Sequence, residues 1–193
     1  MDQEIFFQYL SKFISLTPDE KDILIPFLKH RKYLKGQYIV QQGDICNYDS
    51  FVIKGCLRTY HVDQRGQEHV IRFAIENWWT ADMGSFINKT PADYNVQCLE
   101  NTDVFQFSST TLEEIFNQIP KFESFFRLII QNAFVASEKR IVRNFSLDAR
   151  ERYLAFSALY PRLDQRIPQY MIASYLGITK QYLSEIRNQL AHE

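Results

Sequence analysis

Between residues 33 and 75 the chain reads YLKGQYIVQQGDICNYDSFVIKGCLRTYHVDQRGQEHVIRFAI. Its short runs of Val, Ile, Tyr and Phe are cut by Gly36, Gly43, Gly55 and Gly66. Runs of this length, at roughly ten-residue spacing and bounded by glycines, suit strands of a barrel or sandwich. Within them VDQRGQEHV has the form of a hairpin tip, with Gly66 where a turn needs positive φ. Further on, YNVQCLENTDVFQFS adds two more strands, with ENTD as the turn. No helical period of useful length is expected in 34–108.

The flanks have a different periodicity. Residues 1–33 read as helical. Thr17 is placed as an N-cap, Pro18 as the first helical residue and Glu20 as the third, the start signature of a helix whose apolar stripe is Leu24, Phe27 and Leu28. After the strand block, STTLEEIFNQ forms a capped helix that stops before Pro120, and Pro120 opens another of about 25 residues. On that long helix Phe122, Phe126, Ile129, Ala133 and Ala136 fall on a 4-3-4-3 spacing, a coiled-coil-like seam. Phe125, Leu128, Ile130 and Phe134 make a second apolar surface. A helix that is apolar on two faces has to be covered twice. The barrel supplies one cover, and the same helix of a second copy is expected to supply the other through the 4-3-4-3 seam. Burial within one chain is the simpler alternative.

Three parts follow: a strand-rich domain with flanking helices (1–119), the long helix (120–147) and a small helical domain (148–193). In the last, DARERYLAFSALYPRL is one helix ended by Pro161, and YMIASYLGITKQYLSEIRNQL supplies two more, interrupted by Gly177. Gln169, Ala173, Gly177, Leu183 and Ile186 fit a helix-turn-helix template. Ala173 is small where the second helix crosses. Gly177 takes a left-handed conformation that a β-carbon would penalise. Ile172, Leu176, Ile178, Leu183 and Ile186 form the small core, and Thr179 caps the second helix. Lys180, Gln181, Ser184, Glu185 and Asn188 are then left on an outer face of donors and acceptors, as a DNA-reading helix requires. Lys180 and Gln181 are expected at base edges, Glu185 one turn further on, and Arg187 and Thr179 at phosphates. An ordinary helical hairpin with a solvated polar face is the plainer reading.

Charge agrees with this division. The net charge is −1, but residues 136–193 carry nine Lys or Arg against six Asp or Glu, and residues 1–135 carry thirteen against seventeen. A neutral total thus hides a basic end. Cys46, Cys56 and Cys98 are too scattered for a disulfide framework. They show no C-x-x-C pair and no metal-ligand spacing with His61 or His69, so buried reduced thiols are expected and no metal or cofactor is assigned. The acidic start MDQEIFFQYL is unlike a signal peptide, and no uncharged run approaches a membrane span. A cytoplasmic protein without membrane contact is therefore expected. The sequence has no His-x-His set, no H-E-x-x-H, no G-x-S-x-G and no phosphate-binding glycine loop, so it does not read as an enzyme.

The motifs YLKGQYIVQQGD, FVIKG, HVDQRGQEHVIRF and IPQYMIASYLGITKQYLSEIRNQL, in that order, resemble the Crp/Fnr regulators from about Leu16 to Leu190. The resemblance implies an α+β chain: an N-terminal antiparallel β-roll of the cyclic-nucleotide-binding-like (jelly-roll) kind, a long dimerisation helix and a C-terminal helix-turn-helix. It implies a bacterial, homodimeric, DNA-binding transcription regulator, with double-stranded DNA, a second copy of itself, RNA polymerase and a small-molecule effector as partners. A ligand-binding or protein-interaction module without DNA binding is the alternative. The resemblance is broken in the phosphate cassette. In WTADMGSFINKTPADYNVQCLE, Ala81 and Asp82 stand where Gly-Glu would be, and Ala92, Asp93 and Tyr94 where Arg-Ser-Ala would be. Burying a cyclic phosphate beside Asp82 and Asp93 without a guanidinium is strongly unfavourable. Cyclic AMP is therefore not expected to bind unless Arg72 or Lys89 replaces the missing arginine. Trp79, Ala81, Asp82, Ala92 and Asp93 are the candidates for lining an effector pocket. Residues 1–30 lack the cysteines of the family's iron–sulfur sensors, and His61 and His69 read as surface residues on the hairpin rather than haem ligands. The sequence stops six residues after Arg187, and without a β-hairpin wing a modest DNA affinity is expected.

Overall fold

The structure, a computed structural model, describes residues 2–192. Helix α1 (Asp2–Leu10) is followed by α2 (Pro18–Leu24) and a 3-10 turn at Ile25–Phe27. The start of α2 is the reciprocal box expected from the sequence. The Thr17 backbone N–H donates to Glu20 Oε2 at 2.8 Å, and the Glu20 N–H donates to Thr17 Oγ1 at 3.2 Å. Helix does not extend to residue 33, however. Lys29–Tyr33 is strand β1, paired antiparallel with β8 (Thr102–Phe107). The segment KHRKY has no strong strand preference of its own, and its partner lies some seventy residues away, so non-local pairing overrides the local signal. Lysines at 29 and 32 on this outermost strand also discourage pairing with another chain.

The other strands are β2 (Tyr38–Val40), β3 (Asp49–Lys54), β4 (Leu57–Val62), β5 (Glu68–Ala74), β6 (Trp79–Thr80) and β7 (Asn95–Cys98). They form two antiparallel four-stranded sheets, ordered β1-β8-β3-β6 and β2-β7-β4-β5. This is the two-sheet roll expected, with β4 and β5 as the hairpin around Gly66. The ENTD turn joins β7 to β8, but these strands lie in different sheets, so the turn is a crossing between layers. Gly55 is required where the sheets converge. Its φ is +116°, and a β-carbon there would lie 2.8 Å from Thr102 Cα. A six-residue helix, α3 (Met83–Asn88), sits inside the strand block, where no helix was expected. It is too short to show a period and is fixed by its Asp82 cap.

Helices α4 (Ser109–Gln118) and α5 (Pro120–Ser146) follow. The outer face of the first sheet carries an aromatic core. Phe6 on α1 packs at 4.8 Å from Phe51 and at 5.8 Å from Phe105 and Phe107 between ring centroids. Phe122 and Phe125 of α5 close this core and are fully buried. Each such ring stabilises the fold by about 1.5–3 kcal/mol. The outer face of the second sheet carries a second core. There Tyr60, Val70 and Phe73 meet residues of α6 (Ala149–Leu159), α7 (Gln169–Leu176) and α8 (Lys180–Ala191), among them Phe156, Tyr160, Ile172 and Leu176. The first core also takes in residues of both sheets, Val52 and Val104 with Leu57 and Val96, and α5 runs from it to the second core.

Candidate nucleic-acid interface and effector pocket

Helix α7 ends where the sequence placed its turn. Gly177 has φ +67° and ψ +35°, its N–H donates to the Ser174 carbonyl at 3.2 Å, and the Ile178 N–H donates to the Ala173 carbonyl at 3.0 Å. This left-handed C-cap redirects the chain into α8. Thr179 caps α8, its Oγ1 accepting from the Tyr182 N–H at 3.1 Å. Ile172, Ala173, Leu176, Leu183 and Ile186 are buried between the helices, and Ile178 is partly buried. Thr179, Lys180, Gln181, Ser184, Glu185 and Asn188 all remain exposed on one face. Arg187 is only half-exposed and lies 3.4 Å from the Asp164 carboxylate. Before it touches another anion it must leave or share that partner. Sequence reasoning passed over Tyr182, nearly half exposed beside Gln181 on the first turn of α8, and Tyr170 at the start of α7.

The helix pair is fastened to the roll. Ser174 Oγ accepts from the Val70 N–H at 3.0 Å and donates to the Glu68 carbonyl at 3.1 Å. Arg166 pairs with Glu76 at 2.8 Å and with Glu100. Arg140 of α5 donates to the carbonyls of Ile71, Val70 and Tyr175, and its guanidinium lies 4.3 Å from the centre of the Tyr175 ring.

In the cassette Ala81, Asp82 and Ala92 are buried and Asp93 is exposed. Trp79 does not join them. Its indole packs into the aromatic core on the outer face of the first sheet, 5.3 Å from Phe107 and 5.7 Å from Phe126. A strand of two residues shows no alternation from which its facing could be read. Asp82 is the centre of the site. Oδ1 accepts from the Ser85 N–H at 3.0 Å, and Oδ2 accepts from those of Asp93 at 2.8 Å and Tyr94 at 3.1 Å. The carboxylate thus sits on three backbone amides, the donors an oxyanion would need. Arg72 reaches the same place, donating to the Ala81 carbonyl at 2.7 Å. Burial pulls its pKa down against the opposing charge of Asp49. Lys89 points away, its ammonium 4.8 Å from the Phe86 ring.

Among the described residues no group of three His, Cys, Asp or Glu is placed to hold a metal. Burial pushes the Cys98 thiol up to about 11. His69 pairs with Asp63 in the hairpin turn, and His61 bonds the Asp93 carbonyl at its edge. No helix among the described residues is long and apolar enough to cross a membrane.

Residues 30–119 match the family model of the cyclic nucleotide-binding domain, which spans the roll and α4. Over 187 residues the chain is 26% identical to transcriptional activator protein anr of Pseudomonas aeruginosa, covering 90% of this chain and 75% of that one. It is 23% identical to electron transport regulator A of Shewanella oneidensis, covering 89% and 73%. The fold is that of FixK2 from Bradyrhizobium japonicum, with TM-score 0.74 at 16% identity over 85% and 84% of the two chains. A cyclic-nucleotide-binding-like roll, a long helix and a helix-turn-helix arrangement follow one another along the chain. Along about 90% of its length the chain is similar to these transcription regulators, and it shares the fold of FixK2.

Proposed function

We propose that the protein binds DNA as a homodimer, with residues 1–119 as effector domain, 120–147 as the joining helix and 148–193 as the reading module. The observation that carries this reading is α8. Its apolar side is buried against α7, while Thr179, Lys180, Gln181, Ser184, Glu185 and Asn188 share one exposed polar face. Placed in a major groove, Lys180 suits guanine O6 and N7, and Gln181 suits adenine N6 and N7. Glu185 accepts from cytosine or rejects wrong registers. Two such helices related by a dyad meet half-sites about one helical turn, ~34 Å, apart. From that position the route to transcription is contact with RNA polymerase.

The dimer seam is proposed on a different face from the one the spacing suggested. Phe122 is fully buried in its own chain, and Phe126 and Ile129 pack on the same core, so the N-terminal part of the expected seam is already covered. Ala133 and Ala136 remain exposed but present little apolar area. Ile130, Phe134, Ile141 and Phe145 are exposed at helical spacing, with Val135 and Val142 beside them. A second copy of α5 covers that stripe.

The effector domain does not take cyclic AMP in this reading, because the Asp82 carboxylate already holds the amides that would meet a phosphate. The effector is then an uncharged ligand, or the dimer is competent without one. Calorimetry with millimolar cyclic AMP or cyclic GMP is expected to show no heat of binding. A dissociation constant in the micromolar range would overturn this and assign the phosphate to Arg72. Gel-shift of genomic fragments at low salt, followed by selection of the retained sequences, tests the regulator reading. If no fragment is retained or enriched, the interaction-module alternative replaces it.

A further inference from the structure

Where the last turns of α5 meet α6 and α7 there is a crevice of about 20 Å³, room for about one water, lined by Arg140, Arg143 and Arg152 against the apolar walls of Phe156, Leu159 and Tyr175. Three guanidiniums share it with no carboxylate in the lining. The acids nearest Arg152 in sequence, Asp148 and Glu151, are occupied with each other's backbone as the capping box of α6. The Asp148 N–H donates to Glu151 Oε2 at 2.9 Å, and the Glu151 N–H donates to Asp148 Oδ1 at 2.8 Å. Among the described residues, backbone carbonyls and the Tyr175 ring are what balance the cations. Arg140 uses its Nη groups on Ile71, Val70 and Tyr175, and Arg152 donates Nη1 to the Leu147 carbonyl at 2.8 Å. In both, Nε is buried and without a partner among the described residues. The Arg143 side chain makes no ion pair with any described residue. A helix C-terminus favours one cation in its last turn. It does not account for three, two of which carry an unsatisfied buried donor.

We propose that a phosphoryl group binds at the mouth of this crevice, with one of its oxygens inside. Guanidinium donors suit phosphate because they are planar forks that bond two oxygens at once. Three of them arriving from two helices suit a tetrahedral oxyanion better than a flat carboxylate. The apolar walls keep water from screening the contact. The volume admits about one oxygen of the group and leaves its other oxygens and its carrier at the mouth. That carrier is either the sugar-phosphate backbone of DNA held by the neighbouring α8, in which case the site rests on the regulator reading, or a free phosphate compound, in which case it does not.

The test uses the full chain and the substitution Arg143→Gln, which removes an exposed side chain with no partner and so spares the fold. Arg152→Gln serves as the second variant, with Arg152→Lys as a control that keeps a donor for the Leu147 carbonyl. In the first arm, thermal unfolding is followed against inorganic phosphate and against chloride at equal ionic strength. If the carrier is free, phosphate raises the midpoint of the wild type beyond chloride, and neither Gln variant shows the excess. In the second arm, DNA affinity is measured against salt. If the carrier is DNA, the log–log slope of each Gln variant is shallower by about 0.9. Either result supports the site and identifies the source. Phosphate acting no better than chloride, together with unchanged slopes, overturns it. A chain that binds no DNA defeats the regulator reading alone, and the phosphate arm then decides the site by itself.

Discussion

The two halves of α5 live in different surroundings. In the first, Phe122 and Phe125 are fully buried, and Phe126 lies 5.7 Å from both Trp79 and Phe116. In the second, every residue from 131 to 139 is exposed, and Phe134, Ile141, Val142 and Phe145 stand 63%, 56%, 61% and 88% open to solvent. One helix is therefore held by its own chain at one end and offers unmet apolar surface at the other. The contrast teaches that continuous helix does not mean continuous stabilisation. The first half is a folding element, and the second touches its own chain through Arg140 while its apolar stripe stays unmet until something else covers it.

The contrast can be broken most sharply at Phe122. Phe122→Ala should cost about 3–5 kcal/mol of stability by denaturant unfolding, because the cavity lies among rings that cannot collapse. Phe134→Ala, judged on a monomeric background, should stay within about 0.5 kcal/mol. Similar losses at both positions would erase the distinction between the halves.

A second effect belongs to the roll. Burial pushes the Asp49 carboxyl on β3 up to about 7, although Arg72 and the Ser50 N–H pull it down. The folded state therefore keeps a proton that the unfolded chain releases from about pH 4 upward, so this group's contribution to stability falls as pH rises from about 4 to about 7. The change is on the order of a few kcal/mol, and Asp49→Asn should remove it from a series of unfolding curves. A pH dependence identical in wild type and variant would mean that Asp49 is charged throughout.

The open half is sharpened by charge. Phe134→Asp combined with Ile141→Asp should turn a sedimenting dimer into a monomer while circular dichroism keeps the helix signal of the roll and module. A dimer that survives both changes excludes the stripe. With the dimer intact, Gln181→Ala should cost about 1–3 kcal/mol on the best DNA site and little on random DNA, whereas Arg187→Ala should weaken both and flatten the salt dependence. Equal losses on selected and random DNA for Gln181→Ala would remove it from base reading. A modest effect is expected at Thr17→Ala, about 1 kcal/mol in an unfolding curve, from the loss of one cap hydrogen bond at α2.

Local chemistry was legible in the sequence. The Thr17–Glu20 box, the Gly66 hairpin, the stop before Pro120 and the Gly177 turn each depend on a few adjacent residues, and each is present. What escaped was decided at a distance. Strand β1 exists because β8 is there to pair with it. The 4-3-4-3 spacing on α5 identified an apolar face, but a helix packed on its own sheet and a helix packed on a twin share that spacing. Asp82 read as a charge that repels phosphate. It also occupies the amides of Ser85, Asp93 and Tyr94, and amides leave no mark in a sequence.

The Ser174 bridge has a consequence for how such a molecule can move. Strand β5 is the last in its sheet, and its outward-facing groups would invite another chain to add a strand. Ser174 blocks the Val70 N–H and the Glu68 carbonyl, and Arg140 takes the carbonyls of Val70 and Ile71. The reading module is thus also the guard of an adhesive border. A wide swing of the module would leave that border bare and open to another chain.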